Sequence, residues 1–213
     1  MKKILFNDRY GLTRQVLSGC KTQKRRVIPD IEIYWVRRGK VHLPVGGYEH
    51  GVLFMDVRSI LHDVGICDYA APVKYQPKYE YGEEIAVAQK YKELIGQGYL
   101  CRESDGWVSE EYVTSPGYSN KIFVRADLMP HRIRITNIRA ERLQDISDGD
   151  CLKEGIIVGE QEPRLFGFRL PKGTILSFLT PREAFADLID RISGRGTWQR
   201  NPWVFVYEFE LAK

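Results

Sequence analysis

Residues 203–211 read Trp203-Val204-Phe205-Val206-Tyr207-Glu208-Phe209-Glu210-Leu211 and form the clearest strand in the chain. Phe205, Tyr207, Phe209 and Leu211 fall on one face, and Val204, Val206, Glu208 and Glu210 on the other, which is the period of two that a strand imposes. Just upstream, Thr180-Pro181-Arg182-Glu183 predicts a helix start: Thr at the cap, Pro in the first turn, Glu at the reciprocal capping position. Ala184, Phe185, Leu188, Ile189 and Ile192 continue at helical spacing, and Gly194 ends the run.

Further upstream the same reading gives several short elements. Asp8 is expected to cap a helix over 9–18, with Leu12, Val16 and Leu17 as its apolar stripe and Gly19 as the left-handed residue after it. Ile31, Ile33 and Trp35 alternate with polar residues, and Val41 and Leu43 return as the second arm of a hairpin. The stretch from Val52 to Leu61 is ambiguous between strand and helix. Tyr81-Gly82 turns into a buried strand, Ile85 to Ala88, and residues 97–119 read as an irregular loop with short strands. Ile122-Phe123-Val124 is expected to be a short strand. Ile133 and Ile135 alternate with Arg132, Arg134 and Thr136, so that strand carries an apolar and a basic face. Ser147, with Asp150 three residues on, caps a short helix that turns Cys151, Leu152 and Ile156 inward. Strands with helices at their edges imply an α+β fold, with a small β-barrel as its natural closure.

The chain has 213 residues, 43% hydrophobic and 28% charged, enough for one domain with a real core and wrong for a disordered or disulfide-dense chain. No apolar run nears the ~20 residues of a membrane span. Ile4-Leu5-Phe6 is too short for a signal-peptide core, so no membrane is expected and the expected location is cytoplasmic. The net charge is only +4, but seven basic residues (Lys21, Lys24, Arg25, Arg26, Arg37, Arg38, Lys40) lie between 21 and 40 against Asp30 and Glu32. A second basic stretch holds Arg132, Arg134, Arg139 and Arg142. Each stretch reads equally as a solvated face or as a phosphate-binding track. Cys20, Cys67, Cys101 and Cys151, like His42, His50, His62 and His131, lack metal-ligand spacing, so no metal and no organic cofactor is implied.

The segment LTRQVLSGCKTQKRR, residues 12–26, resembles the signature of ASCH domains, a helix followed by G-x-K-T-x-x-x-R. Three further blocks resemble the family in order: the Gly-Glu turn and strand at 82–88, ITNIRAERLQDISDGDCLKEGI at 135–156, and WQRNPWVFVYEFE at 198–210. The last two look most like ASCH-type proteins of bacteriophages and prophages. Residues 30–75 and 158–178 lie outside the resemblance and are expected to be insertions in one domain spanning 1–213. The resemblance implies a PUA-like fold with a cleft between the first helix and the barrel for RNA or a modified base. It also implies, by analogy with a subgroup that hydrolyses N4-acetylcytidine through a Lys, a Thr and a Glu, catalytic roles for Lys21 and Glu154. The position of that subgroup's Thr is Lys24 here.

Three readings follow. The first is a binder of nucleic acid, RNA foremost, or of a modified nucleoside, using Lys21, Thr22, Lys24, Arg25, Arg26, Glu154 and, extending the track, Arg132 and Arg134. Stacking partners would come from Tyr34, Trp35, Tyr48, Tyr79, Tyr81, Trp107, Trp198 and Trp203. The second is an amidohydrolase for an N4-acylated cytidine-type nucleoside. The third is a phage structural or interaction protein. For Lys21 and Glu154, a plain salt bridge between the first helix and the helix after Ser147 stands beside any ligand role. The oligomeric state is not legible.

Overall fold

A computed structural model describes residues 1–28, 31–35, 39–43, 47–49, 52–55, 73–75, 77–101, 106–160 and 164–212. The strand predicted from 203–211 is β13 (Trp203–Ala212), and it is central. It runs antiparallel to β9 (Arg132–Arg142) on one side and to β2 (Gln23–Val27) on the other. β8 (Glu84–Val87) pairs antiparallel with β9, and β1 (Lys3–Ile4) adds parallel to β8, so the five-stranded order is β1-β8-β9-β13-β2. Val204 and Val206 on one face and Phe205 and Tyr207 on the other are all buried, as a central strand covered on both sides requires.

Register passes from Glu208 opposite Asn137 to Phe209 opposite Ile135, leaving Thr136 as an extra residue on β9. Ile133 and Ile135 before this bulge therefore share a face with Ile138 and Ala140 after it, opposite Leu211, Phe209, Tyr207 and Phe205. The apolar and basic faces expected for this strand are present, with Arg132, Arg134 and Arg139 together on the second face. Phe6 packs on Phe209 at 5.6 Å and Tyr79 on Tyr207 at 5.1 Å, filling the inside of the sheet. Among the described residues no ladder joins β1 to β2.

The opening helix departs from expectation. Asn7, not Asp8, is the cap, its side chain accepting from the Arg9 amide. Residues Asp8–Tyr10 make one 3-10 turn, Gly11 reverses it at φ +69°, and α1 runs only Leu12–Leu17. Asp8 is diverted because its carboxylate is taken by Thr13 and two lysines. Gly19 takes the left-handed conformation as expected, at φ +75°. Ile122-Phe123-Val124 is not a strand: Lys121–Phe123 forms a 3-10 turn, capped by Asn120, whose side chain accepts from the Ile122 amide. The loop expected over 97–119 contains α3 (Glu110–Thr114), after α2 (Tyr91–Gly96), and one bridge, Cys101 to Val108.

The helix after Ser147 is α4 (Asp148–Lys153), capped as predicted by the Ser147 side chain on the Asp150 amide. The helix started by Thr180 is α5 (Pro181–Ser193), with both halves of its capping box formed. It is followed by α6 (Thr197–Arg200). β10 (Ile157–Val158), β11 (Phe166–Arg169) and β12 (Ile175–Phe178) form an antiparallel sheet. Its Phe168 is fully buried in the same core as the five-stranded sheet, edge-on to Tyr10 and beside Phe178. Within 30–75, β3 (Ile31–Trp35) pairs with β4 (Gly39–Leu43) as the predicted hairpin. β5 (Gly47–Glu49), β6 (Val52–Met55) and β7 (Val73–Tyr75) form a separate three-stranded sheet, which makes the start of the ambiguous 52–61 stretch a strand. Residues 56–61 and Cys67 lie outside the described residues. The chain is thus mixed α+β, and among the described residues no helix is long and apolar enough to cross a membrane.

Candidate functional site

The site begins where α1 ends. With Gly19 left-handed, the Cys20 and Lys21 amides both return to the Gln15 carbonyl, and the chain turns directly into β2. Thr22 is then clamped: its amide donates to the Lys153 carbonyl, and its carbonyl accepts from the Phe209 amide. This docks the Lys21 segment between the end of α4 and the central strand. Lys21 Nζ donates to Glu154 Oε2 at 2.5 Å and to the Glu154 backbone carbonyl at 2.6 Å. The pair is almost fully buried, with residue exposures of 3% and 6%. Gly155 follows at φ +101°, a backbone conformation that L side chains rarely adopt, which favours glycine where α4 ends against Gln15 and Leu12 of the opening helix segment.

Arg25 is equally buried, on the opposite face of β2 from Lys24. Its Nε and Nη2 donate to Glu141 Oε1 at 3.0 and 2.7 Å, Nη2 also to Asp150 at 3.2 Å, and Nη1 to Gln23 and Glu154, each at 3.1 Å. Arg139 joins the same acids, reaching Glu141 at 3.0 Å, Asp150 at 2.6 Å and Glu208. Arg25 therefore carries a structural network and has little left with which to neutralise a phosphate.

Around Lys21, Lys24, Arg25 and Glu154 opens a cavity of about 490 Å³. Residues 5–9 and 119–122 supply its second wall, and Leu12 with Phe185, Leu188, Ile189 and Ile192 of α5 its apolar wall. Lys121 is anchored there by the Phe6 carbonyl, by Asp8 at 2.6 Å and by Thr13 at 2.9 Å. Burial opposes the charge on Asp8, but its bonds to Lys121 and Thr13 and the nearby ammonium groups hold its carboxyl below the usual range. Lys24 Nζ donates to the Leu5 carbonyl and lies 4.8 Å from the Phe6 ring centroid. Burial, then the adjacent Lys21 charge, brings its amine down to about 7. Burial also lowers Lys21, against the pull of Glu154.

The other expected site residues lie apart. Thr22 and Arg26 do not line the cavity, and Arg26 is exposed on the surface of β2. Arg132 and Arg134 sit at the far end of β9, where Arg134 pairs with Glu84 at 2.7 Å. Of the proposed stacking partners, Tyr79 is buried in the core, Trp198 packs edge-on to Phe185, and Trp203 lies under Arg142. Tyr81 and Trp107 are exposed, none of these five lines the cavity, and the side chains of Tyr34, Trp35 and Tyr48 are outside the described residues. The aromatics that do line it are Phe6 and Phe185. Lys121, Lys90, Asp8 and Phe6 carry no signal as site residues in the sequence, since only the chain's path after residue 4 and before residue 124 brings them together. A second hollow, also about 490 Å³, borders α1 and is lined by Arg14, Gln15, Cys20 and Arg169 among others. Comparison with protein-family models, with curated proteins and with solved structures finds no match to this chain.

Proposed function

We propose that the chain binds nucleic acid, RNA foremost, or a modified nucleobase, with a base-sized group entering the cavity at the end of α1. The observation that carries this reading is the meeting of Lys21, Lys24, Arg25 and Glu154 on one open cavity whose remaining wall is apolar. Its volume of about 490 Å³ suits a small organic ligand, and apolar walls with a few convergent polar groups are what such sites use. Exposed Arg9, in the cavity lining, and exposed Arg26, beside Lys24, offer partners to backbone phosphates. An ASCH-type, PUA-like arrangement is consistent with this geometry: Lys24, on one edge strand of the sheet, reaches the carbonyl of Leu5, the residue after the other edge strand.

The test is fluorescence anisotropy of a labelled single-stranded RNA with the protein and with an Arg9→Glu, Arg26→Glu variant. Both positions are exposed, so the variant is expected to fold, which a melting curve checks. Affinity is expected to fall at least about tenfold, and the slope of log affinity against log salt to drop by roughly 0.7 for each phosphate that the variant no longer neutralises. Unchanged affinity at low salt rejects the reading.

A second reading, amide hydrolysis of an N4-acylated cytidine, is favoured by one observation. Beside the buried Lys21–Glu154 pair, Lys24 offers an amine brought down to about 7, within the range where a group can accept a proton from water. Incubation with N4-acetylcytidine tests it: absence of released cytidine ends it for that substrate.

A further inference from the structure

Among the described residues, two cations that line the cavity lack a carboxylate partner: Arg9, which is exposed, and Lys24, which is part-buried. Lys21 is paired with Glu154 at 2.5 Å, Arg25 with Glu141, Asp150 and Glu154, Lys121 with Asp8 at 2.6 Å, and Lys90 with Asp8 at 3.3 Å and Glu93 at 3.2 Å. Of the cavity's buried and part-buried cations, Lys24 is the one with no carboxylate within ion-pair reach among the described residues. Its amine makes one hydrogen bond, to the Leu5 carbonyl, and an ammonium has three N–H donors to give. The charged groups facing it are Lys21 and Arg26 from its own segment, Lys121 from the 3-10 turn at Lys121–Phe123, and Glu154 from the end of α4. Three of these four are cationic, so the field at the Lys24 amine favours an incoming anion. The neighbouring wall, by contrast, is carbon: Phe6 beneath Lys24, and Phe185, Leu188 and Ile189 from α5.

We propose that this cavity selects a phosphate ester, its phosphate seated on the free N–H groups of Lys24 and its base or other flat body against Phe6 and the α5 side chains. The proposal rests on the reading that a nucleotide-like ligand enters here, and it adds that the ligand must bring its own negative charge. It also explains how a cation can be kept in a hole that disfavours it. Burial and like charges leave the Lys24 amine at about 7. An anion beside it restores the charged form, so above neutral pH binding draws in a proton. Lys24 occupies the position that the resemblance would fill with Thr, so this preference is a property of this chain's own residue.

Isothermal titration of the full chain with cytidine monophosphate, cytidine and inorganic phosphate tests the proposal, run at about pH 6 and about pH 8.5 in two buffers of different ionisation heat. The nucleotide is expected to bind about tenfold or more tighter than the nucleoside, the size of one charge-assisted hydrogen bond. Proton uptake is expected at the higher pH only. Lys24→Met should remove the nucleotide's advantage and the proton uptake together. Lys24→Arg should keep the advantage and lose the uptake, since a guanidinium stays charged throughout. Melting curves of both variants confirm that they fold. Equal affinity for nucleotide and nucleoside, or an advantage that survives Lys24→Met, overturns the proposal while leaving nucleobase binding standing. Phosphate or nucleotide binding with no binding of cytidine or RNA upholds the anion site and overturns nucleobase binding instead. No binding of any probe overturns both. An RNA tetramer with and without a terminal phosphate separates the sources: a gain from the phosphate there assigns the site to a strand end, and a gain confined to the mononucleotide assigns it to a free nucleotide.

Discussion

Glu154→Gln is the substitution on which the architecture of the cavity can be judged. Glu154 is 6% exposed and holds two buried cations, Lys21 at 2.5 Å and Arg25 at 3.1 Å. Removing one partner of a buried ion pair costs about 3–5 kcal/mol, because the other charge is left uncompensated. Arg25 keeps Glu141 and Asp150, so the loss falls on Lys21, which keeps the residue-154 backbone carbonyl at 2.6 Å and a neutral amide oxygen but no counter-charge. That places the expected loss near the lower end, about 3 kcal/mol, or a fall in melting temperature on the order of 10 °C for a chain of this size. Burial already lowers the Lys21 amine, with Glu154 pulling the other way, so the variant lowers it further. Between that lowered value and the ordinary lysine value the unfolded chain binds the extra proton, and stability there rises with pH. The cost of Glu154→Gln must therefore shrink as pH rises into the alkaline range. Urea unfolding followed by tryptophan fluorescence, at neutral pH and at about pH 9.5, reads both quantities. A loss below about 1 kcal/mol at neutral pH, or one that grows with pH, would refute the view that this pair is buried and mutually dependent.

Three other outcomes are expected. Limiting acetylation at neutral pH, read by peptide mass spectrometry, should modify Lys24 ahead of Lys90, because the Lys24 amine is brought down to about 7, whereas Lys90, despite partial burial, is held above its ordinary value by Glu93 and Asp8. Gly155→Ala should destabilise the protein by about 2 kcal/mol or more in urea unfolding, since the residue sits at φ +101° and its new methyl would meet Gln15 and Leu12. Thr180→Ala should cost about 1 kcal/mol, a melting shift of roughly 2–4 °C, through loss of its bond to the Glu183 amide at the start of α5.

Where local chemistry decides an element, the sequence was enough to place it. Thr180 and Ser147 cap the helices their spacing announces, Gly19 is left-handed, and Ile31–Trp35 pairs antiparallel with Gly39–Leu43. Where the deciding partner is distant, it was not. Asp8 gives up its cap to Asn7 because Lys121, over a hundred residues away, takes its carboxylate. Lys24 and Arg25 read as one basic run, yet as strand neighbours they face opposite ways, one towards Leu5 and Phe6 and the other into a nest of acids from β9 and α4. The spacing of Ile135 and Ile138 is a bulge signal readable only once β13 is known to lie alongside. Lys21 and Glu154 converge where the chain turns at Gly155 with positive φ and where Thr22 is tied to Lys153, neither of which follows from residue type alone.

The pairing of β2 with β13 has a consequence for how the molecule comes into being. Within the sheet, and among the described residues, residues 23–27 pair with 204–208 alone, so some 180 residues separate the two halves of that ladder. While the chain is being made, the cations of β2 wait in water without their scaffold, and the hollow they border does not yet exist. A fragment ending before Trp203 would thus carry every residue of the hollow's lining and still have no place for a ligand to go.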